Sequence, residues 1–184
     1  MPIQTPICDF GQKAHDFELK STDNKMLSLN DVKGENGTLI MFICNHCPYV
    51  IHINEALVVL AKELKSIEIA VVAISSNDAE KYPQDGPRLM EVHAKKMKYN
   101  FPYLYDRTQD IAKAYKAACT PDFYLFDSNL KLTYRGQLDE SRPSNGLPVN
   151  GIDLKHAVSC LVEAKENTRI QKPSIGCSIK WKLS

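Results

Sequence analysis

The chain has 184 residues, enough for one domain with a substantial core and short for two. Apolar residues make up 43% and charged residues 24%, the balance of a folded globular protein and not of a disordered one. The 23 Lys and Arg nearly cancel the 22 Asp and Glu, and no basic cluster exceeds Lys95-Lys96, so neither nucleic acid nor an anionic membrane is expected as a partner.

The first residues, MPIQTPICDFGQKAHDF, hold no basic segment followed by an apolar run, and no apolar stretch approaches the roughly 20 residues of a membrane span. The cytoplasm is therefore the expected compartment. There the six cysteines, Cys8, Cys44, Cys47, Cys119, Cys160 and Cys177, are expected mostly as thiols, because cytosolic buffers keep them reduced.

In chain order, Phe17 to Lys20 and Met26 to Leu29 flank turn residues and predict a small β-hairpin, after which Asn30 would cap a short helical turn ended by Gly34. Leu39 to Ile43 is a continuous apolar run, as a strand buried on both faces requires. Pro48 to Lys65 carries Ile51, Leu57, Leu60, Ala61 and Leu64 at near-helical spacing. Ile69 to Ser75 predicts a second buried strand, followed by a loop containing Pro83, Gly86 and Pro87 and a helix over Arg88 to Tyr99. A short strand over Phe101 to Tyr105 and a helix over Gln109 to Ala117 come next. Phe123 to Phe126 and Lys131 to Arg135 predict a hairpin, Ser141 to Gly151 a loop, and Asp153 to Glu166 the last helix. The tail from Asn167 to Ser184 shows little periodicity. Strand and helix alternate in the first half and an antiparallel hairpin follows, which predicts a mixed sheet covered on both faces. One domain is expected over 1–184, with its core at about 10–166 and a C-terminal tail at 167–184.

The chemistry concentrates in Cys44-Asn45-His46-Cys47-Pro48, at the junction of the first buried strand and its helix. Pro48 suits the first helical position, where its missing N–H is no loss, and this makes Cys47 the N-cap. A sulfur there faces unpaired backbone N–H groups and the positive end of the helix dipole, which favour thiolate over thiol. Cys47 is thus the expected nucleophile. Cys44 either pairs with it in a disulfide, the short loop bringing the two within range, or stands by. His46 between them either supplies an imidazolium that stabilises the thiolate or faces solvent.

These residues resemble the thioredoxin fold and, within it, the peroxiredoxin-like branch of the AhpC/TSA (redoxin) family, over roughly Phe10 to Glu166. Further pieces carry the resemblance: Tyr105-Asp106-Arg107 leading into Ile111-Ala112-Lys113-Ala114-Tyr115, and Cys119-Thr120-Pro121-Asp122-Phe123-Tyr124-Leu125-Phe126. The resemblance implies an α/β three-layer sandwich with a mixed central sheet, helices on both faces and an N-terminal β-hairpin. It also implies that Thr120 and Pro121 form the cis-proline loop, whose backbone pairs with an incoming chain beside the active cysteine. Counted back from Ala61-Lys62-Glu63-Leu64, Cys47 falls at the thioredoxins' attacking cysteine and Val50 at their second. Val50 also falls where peroxiredoxins hold their peroxide-attacking cysteine, Ile43 replaces the proline of their pattern, and Met41 replaces the thioredoxins' buried acid.

The activity implied is that of a thiol–disulfide oxidoreductase with Cys47 as nucleophile, Cys44 as resolving thiol, and His46, Pro48, Thr120 and Pro121 in support. Its partners would be a protein or small-molecule disulfide and a thiol electron donor. A thiol peroxidase acting on hydroperoxides is the neighbouring alternative. From other classes come a metal-binding protein using Cys44, His46, Cys47 and His52, and a redox-inactive interaction module. No second Cys/His pair stands at zinc spacing, so neither metal nor cofactor is expected. Cys119 and Cys177 are possible third thiols. Cys119 is otherwise a core thiol beside the cis-proline loop, and Cys177 belongs to a tail that is either a packed strap anchored by Trp181 or a mobile resolving arm. Cys8 and Cys160 are expected as structural thiols, Cys160 on the apolar side of the last helix.

Overall fold

The computed structural model describes residues 2–5 and 10–182. Cys8, expected as a structural thiol, lies outside the described residues. Strand β1 (Pro2–Gln4) precedes the hairpin β2 (Glu18–Ser21) and β3 (Met26–Ser28), and α1 (Leu29–Val32) follows directly. The cap of α1 is Ser28 and not Asn30: its hydroxyl accepts from the Asp31 N–H while Asp31 reaches back to the Ser28 N–H, a reciprocal capping box.

Strand β4 (Gly37–Phe42) is buried along its whole length. It lies between β5 (Ile69–Ser75), which runs parallel to it, and β8 (Asp122–Asp127), which runs antiparallel. Such a central strand has both faces covered, and this is why its sequence is continuously apolar. Pairing persists one residue past the strand, Ile43 N–H donating to the Ile74 carbonyl at 3.0 Å, so the chain is held straight up to Cys44.

Helix α2 (Pro48–Lys65) starts at the expected proline and buries Val50, Ile53, Leu57, Leu60, Ala61 and Leu64. After β5 come a 3₁₀ turn at Pro83–Asp85, α3 (Pro87–Met97), β6 (Tyr103–Tyr105) and the short α4 (Asp110–Ala114). Strand β7 (Cys119–Thr120) leads into β8, and β9 (Leu132–Gly136), α5 (Ile152–Val162) and β10 (Ile175–Ser178) complete the chain.

The main sheet has seven strands in the order β3-β2-β6-β5-β4-β8-β9. Alternate residues of its central strands feed two cores. Leu39, Met41, Val71 and Ala73 face α2 and α5, while Ile40, Phe42, Val72 and Ile74 pack with residues of α1 and α4 on the other side. Each of the larger of these side chains contributes about 1.5–3 kcal/mol on burial, which fixes β4 and α2 and hence the loop between them. No helix among the described residues is long and apolar enough to cross a membrane.

The tail departs from its aperiodic sequence. It contributes β10 to a second, three-stranded sheet in the order β1-β10-β7, with antiparallel pairing on both sides. Side chains of the main body hold it in place: Asn77 accepts from Lys180 N–H at 2.8 Å, and Gln109 bonds both the Lys180 carbonyl at 2.9 Å and the Lys182 N–H at 2.8 Å. The strap is anchored by Ile179, which is 3% exposed, and not by Trp181, which is 39% exposed. A strand buries alternate residues, and within the ten residues Pro173 to Lys182 the aromatic proved a poorer guide to the inward face than the aliphatic beside it.

Candidate active site

The loop Cys44-Asn45-His46-Cys47 leaves the end of β4 and is pinned by buried polar groups. Asn45 N–H donates to Asp85 Oδ1 at 2.8 Å, Asn45 Nδ2 donates to the Gln84 carbonyl at 2.7 Å, and Tyr103 donates to Asn45 Oδ1 at 3.1 Å. Asp85, fully buried in the 3₁₀ turn, also accepts from Asn77 Nδ2 at 2.8 Å and lies 2.5 Å from His46 Nδ1. The His46 ring stacks parallel to Tyr82. His46 is thus turned toward Asp85. Asp85 was not legible in the sequence, since an aspartate between Pro83 and Gly86 reads as ordinary turn chemistry.

Cys47 is the N-cap of α2, with extended backbone angles, but its side chain makes no capping bond to the helix. The expectation that the helix's own N–H groups hold the sulfur is therefore corrected. The extended backbone sends Sγ across to the cis-proline loop, where the Thr120–Pro121 peptide is cis. As a thiol, Cys47 donates to the Thr120 carbonyl at 3.1 Å. As a thiolate it is held well below the ordinary thiol range, first by the Cys44 thiol, then by the Cys177 thiol, the Thr120 side chain and the Cys177 backbone N–H, which together outweigh the opposing effect of burial. Hydrogen bonds to the charged form lower a pKa in this way.

Cys44 is the complement. Its Sγ lies 3.4 Å from Thr120 Oγ1, and its pKa is raised far above the ordinary thiol value by the hydrogen bond it gives Cys47, by burial and by the Asp85 charge. The two sulfurs therefore titrate as a pair, Cys47 giving up its proton before Cys44. Cys177 sits opposite Thr120 in the β10–β7 register, and its thiol is pushed up to about 11, chiefly by burial and then by its bond to Cys47. Cys119 is buried, and its sulfur faces the Pro121 carbonyl at 3.7 Å and the Ser174 carbonyl at 3.8 Å, away from the pair. Cys160 is half-buried on α5 with its sulfur 3.5 Å from His156 Nε2. The five cysteines among the described residues are all free thiols.

The structure therefore brings Cys44, Cys47, Pro48, Thr120, Pro121 and Cys177 together, sets His46 beside Asp85, and leaves Cys119 in the core. A cation could be offered Cys44, His46 and Asp85, whose ligand atoms lie within 4.8 Å of one another; His52 is not in that group. Both Asp85 oxygens accept hydrogen bonds, one from Asn45 N–H and the other from Asn77 Nδ2, while His46 Nδ1 lies beside the carboxylate without an aligned hydrogen bond. Beside Pro121 a shallow pocket opens, lined by Tyr49, Ile53, Phe123, Arg142 and Ile175 among others.

A mixed sheet between helices, with a cysteine at a helix start facing a cis-proline loop, defines the thioredoxin-like class of α/β proteins. Within it, the profile of the AhpC/TSA family matches residues 10–135. The chain belongs to the AhpC/TSA family. Among solved structures it is similar to an uncharacterized conserved protein from Geobacillus kaustophilus, at 51% identity over 100% of this chain and 98% of that one, with a TM-score of 0.97. It is also similar to a hypothetical protein from Sinorhizobium meliloti 1021, at 42% identity over 98% of this chain and 99% of that one, with a TM-score of 0.95. A putative thiol:disulfide interchange protein DsbE from Chlorobium tepidum shares the fold at 18% identity, over 84% of this chain and 98% of that one, with a TM-score of 0.66. No curated protein sequence matched the chain.

Proposed function

We propose that the protein is a thiol–disulfide oxidoreductase, a single redoxin domain over 1–184, in which Cys47 is the nucleophile and Cys44 the resolving thiol. The observation that carries this reading is geometric: Cys47 Sγ at the start of α2 lies 3.1 Å from the Thr120 carbonyl and Cys44 Sγ 3.4 Å from Thr120 Oγ1, both against the cis Thr120–Pro121 loop. Cys47 thiolate attacks one sulfur of a disulfide, forms a mixed disulfide and expels the other sulfur as a thiolate. The charge that held the Cys44 proton is then gone, so Cys44 can ionise, attack Cys47 Sγ and expel the second thiolate. An external thiol donor returns the Cys44–Cys47 disulfide to two thiols.

The thioredoxin-like interchange protein that shares the fold is consistent with this class of substrate. A reducing compartment such as the cytoplasm, where such thiols stay available, belongs to the same proposal. Hydroperoxide reduction ranks below it because Val50 and Ile43, at the positions peroxiredoxins use, are aliphatic side chains with no exposed surface. A fast peroxidase needs preorganised donors around both peroxide oxygens. The test is intact mass after mild diamide oxidation and alkylation of the remaining thiols. Wild type is expected to lose two alkylation sites, mapped to Cys44 and Cys47, and Cys47→Ser to lose none. Oxidation of Cys47→Ser at the wild-type rate would overturn the assignment.

A further inference from the structure

The segment that lies on the cis-proline loop is the protein's own β10. Cys177 is opposite Thr120 and Ser178 opposite Cys119, and just beyond them Ile179 N–H donates to the Ala118 carbonyl at 3.0 Å. The neighbouring Gly176 sits so close to this loop that a Cβ built on it would stand 1.9 Å from the Thr120 carbonyl oxygen and 2.6 Å from the carbonyl carbon. Only a residue without a side chain fits there. On its other edge β10 is paired by β1, and beyond it Asn77 and Gln109 hold the chain. Beneath it Cys47 has no exposed surface and Cys44 is 2% exposed, whereas Cys177 is partly exposed and packs against the same cluster.

We propose that β10 is a tethered strand in the place of an incoming chain, and that Cys177 closes a disulfide with Cys47 in competition with Cys44. The inference rests on the reading of Cys47 as nucleophile. With a small disulfide as oxidant, Cys47 thiolate takes one half and releases the other as a thiolate. Cys177 then gives up its proton and attacks Cys47 Sγ; the Cys47–Cys177 bond forms, the bond to the reagent breaks, and its second half leaves as a thiolate that can take the proton. Two protein thiols are oxidised and one reagent disulfide is reduced to two thiols. The product matters for the electron donor. A Cys44–Cys47 disulfide is almost wholly covered, so an external thiol reaches it only after β10 moves aside, while a Cys47–Cys177 disulfide has one partly exposed sulfur that an external thiol can reach directly. Cys177 lies opposite Thr120, whose carbonyl accepts from Cys47 Sγ at 3.1 Å, and it packs against the cluster that holds Cys47.

The experiment uses a chromogenic aromatic disulfide on the full chain, counting released thiolate and mapping products by peptide mass, with melting curves confirming that each variant folds. Cys44→Ser is expected to release a second equivalent after the first and to yield a Cys47–Cys177 cross-linked peptide. The double variant Cys44→Ser/Cys177→Ser is expected to stop at a stable reagent adduct on Cys47. In the Cys44→Ser background Gly176→Ala, which pushes β10 off the Thr120 carbonyl, is expected to speed the first step and slow the second. The slowing should be roughly tenfold, equivalent to about 1.4 kcal/mol of lost preorganisation. If Cys44→Ser retains its adduct on Cys47 while Cys177 stays open to alkylation, the inference about Cys177 is wrong and the nucleophile stands. If the double variant takes no adduct on Cys47 and wild type releases no thiolate, it is the nucleophile assignment that fails.

Discussion

Replacing Cys44 by Ala tests the electrostatic core of the site, because the Cys44 thiol is the largest influence lowering the Cys47 pKa. A hydrogen bond to a charged acceptor contributes about 1.5–3 kcal/mol, and 1.36 kcal/mol corresponds to one pKa unit. A thiol is a weak donor, so the low end applies, and the Cys47 midpoint should rise by about 1 unit. It should stay below the ordinary thiol value of ~8.5, since Cys177 and Thr120 still face the sulfur. Cys44→Ser, which keeps a donor, should shift it less. The assay is the pH dependence of thiolate absorbance and of iodoacetamide labelling at Cys47. Stability provides the linked readout. A depressed folded pKa stabilises the native state fully above the unfolded thiol pKa, and that stabilisation is lost as pH falls through the folded value. Reduced wild type should therefore gain stability over Cys47→Ser as pH rises from mildly acidic toward 9, and Cys44→Ala should gain less. An unchanged or lower midpoint in Cys44→Ala would refute the reasoning.

Asp85→Asn keeps one carbonyl oxygen but places an amide among the Asn45, Asn77 and His46 groups that crowd the carboxylate; it should lose about 1–3 kcal/mol of stability, and urea unfolding at constant m checks this. Ile179→Ala should cost about 2–4 kcal/mol, while Trp181→Ala should cost under about 1; equal losses would show that the tryptophan shares the anchoring of the strap. Exhaustive chelation should leave the melting temperature unchanged, because a structural zinc site contributes folding free energy directly. Stoichiometric metal that survives dialysis and is lost in Cys47→Ser would favour the metal-binding alternative.

The sequence carried the central strands and α2 because their signals are local and strong. A continuous apolar run requires burial on both faces, and a proline just after a polar loop marks a helix start; β5 and α2 match their predicted limits residue for residue. The helices over 87–97, 110–114 and 152–162 are each shorter than expected at one or both ends, where fraying turns leave no residue signature. Cys44, Cys47, Thr120 and Pro121 could be gathered from their motifs and from resemblance. What surrounds Cys47 could not, because the pairing of β10 with β7 joins residues more than fifty positions apart, and a four-residue strand with a glycine at its centre has no periodicity to read. Asp85 was hidden for a related reason: its burial is created by tertiary contacts to Asn45, His46 and Asn77, none of which marks the aspartate in its own segment.

The most direct test of the central claim is stopped-flow reaction of the fully reduced protein with a small disulfide and with hydrogen peroxide, under matched conditions, for wild type and Cys47→Ser. The account requires ready exchange with the disulfide that Cys47→Ser abolishes, and peroxide consumption no faster than that of an ordinary thiolate. A Cys47-dependent peroxide rate far above that level would make the protein a peroxidase and contradict the account.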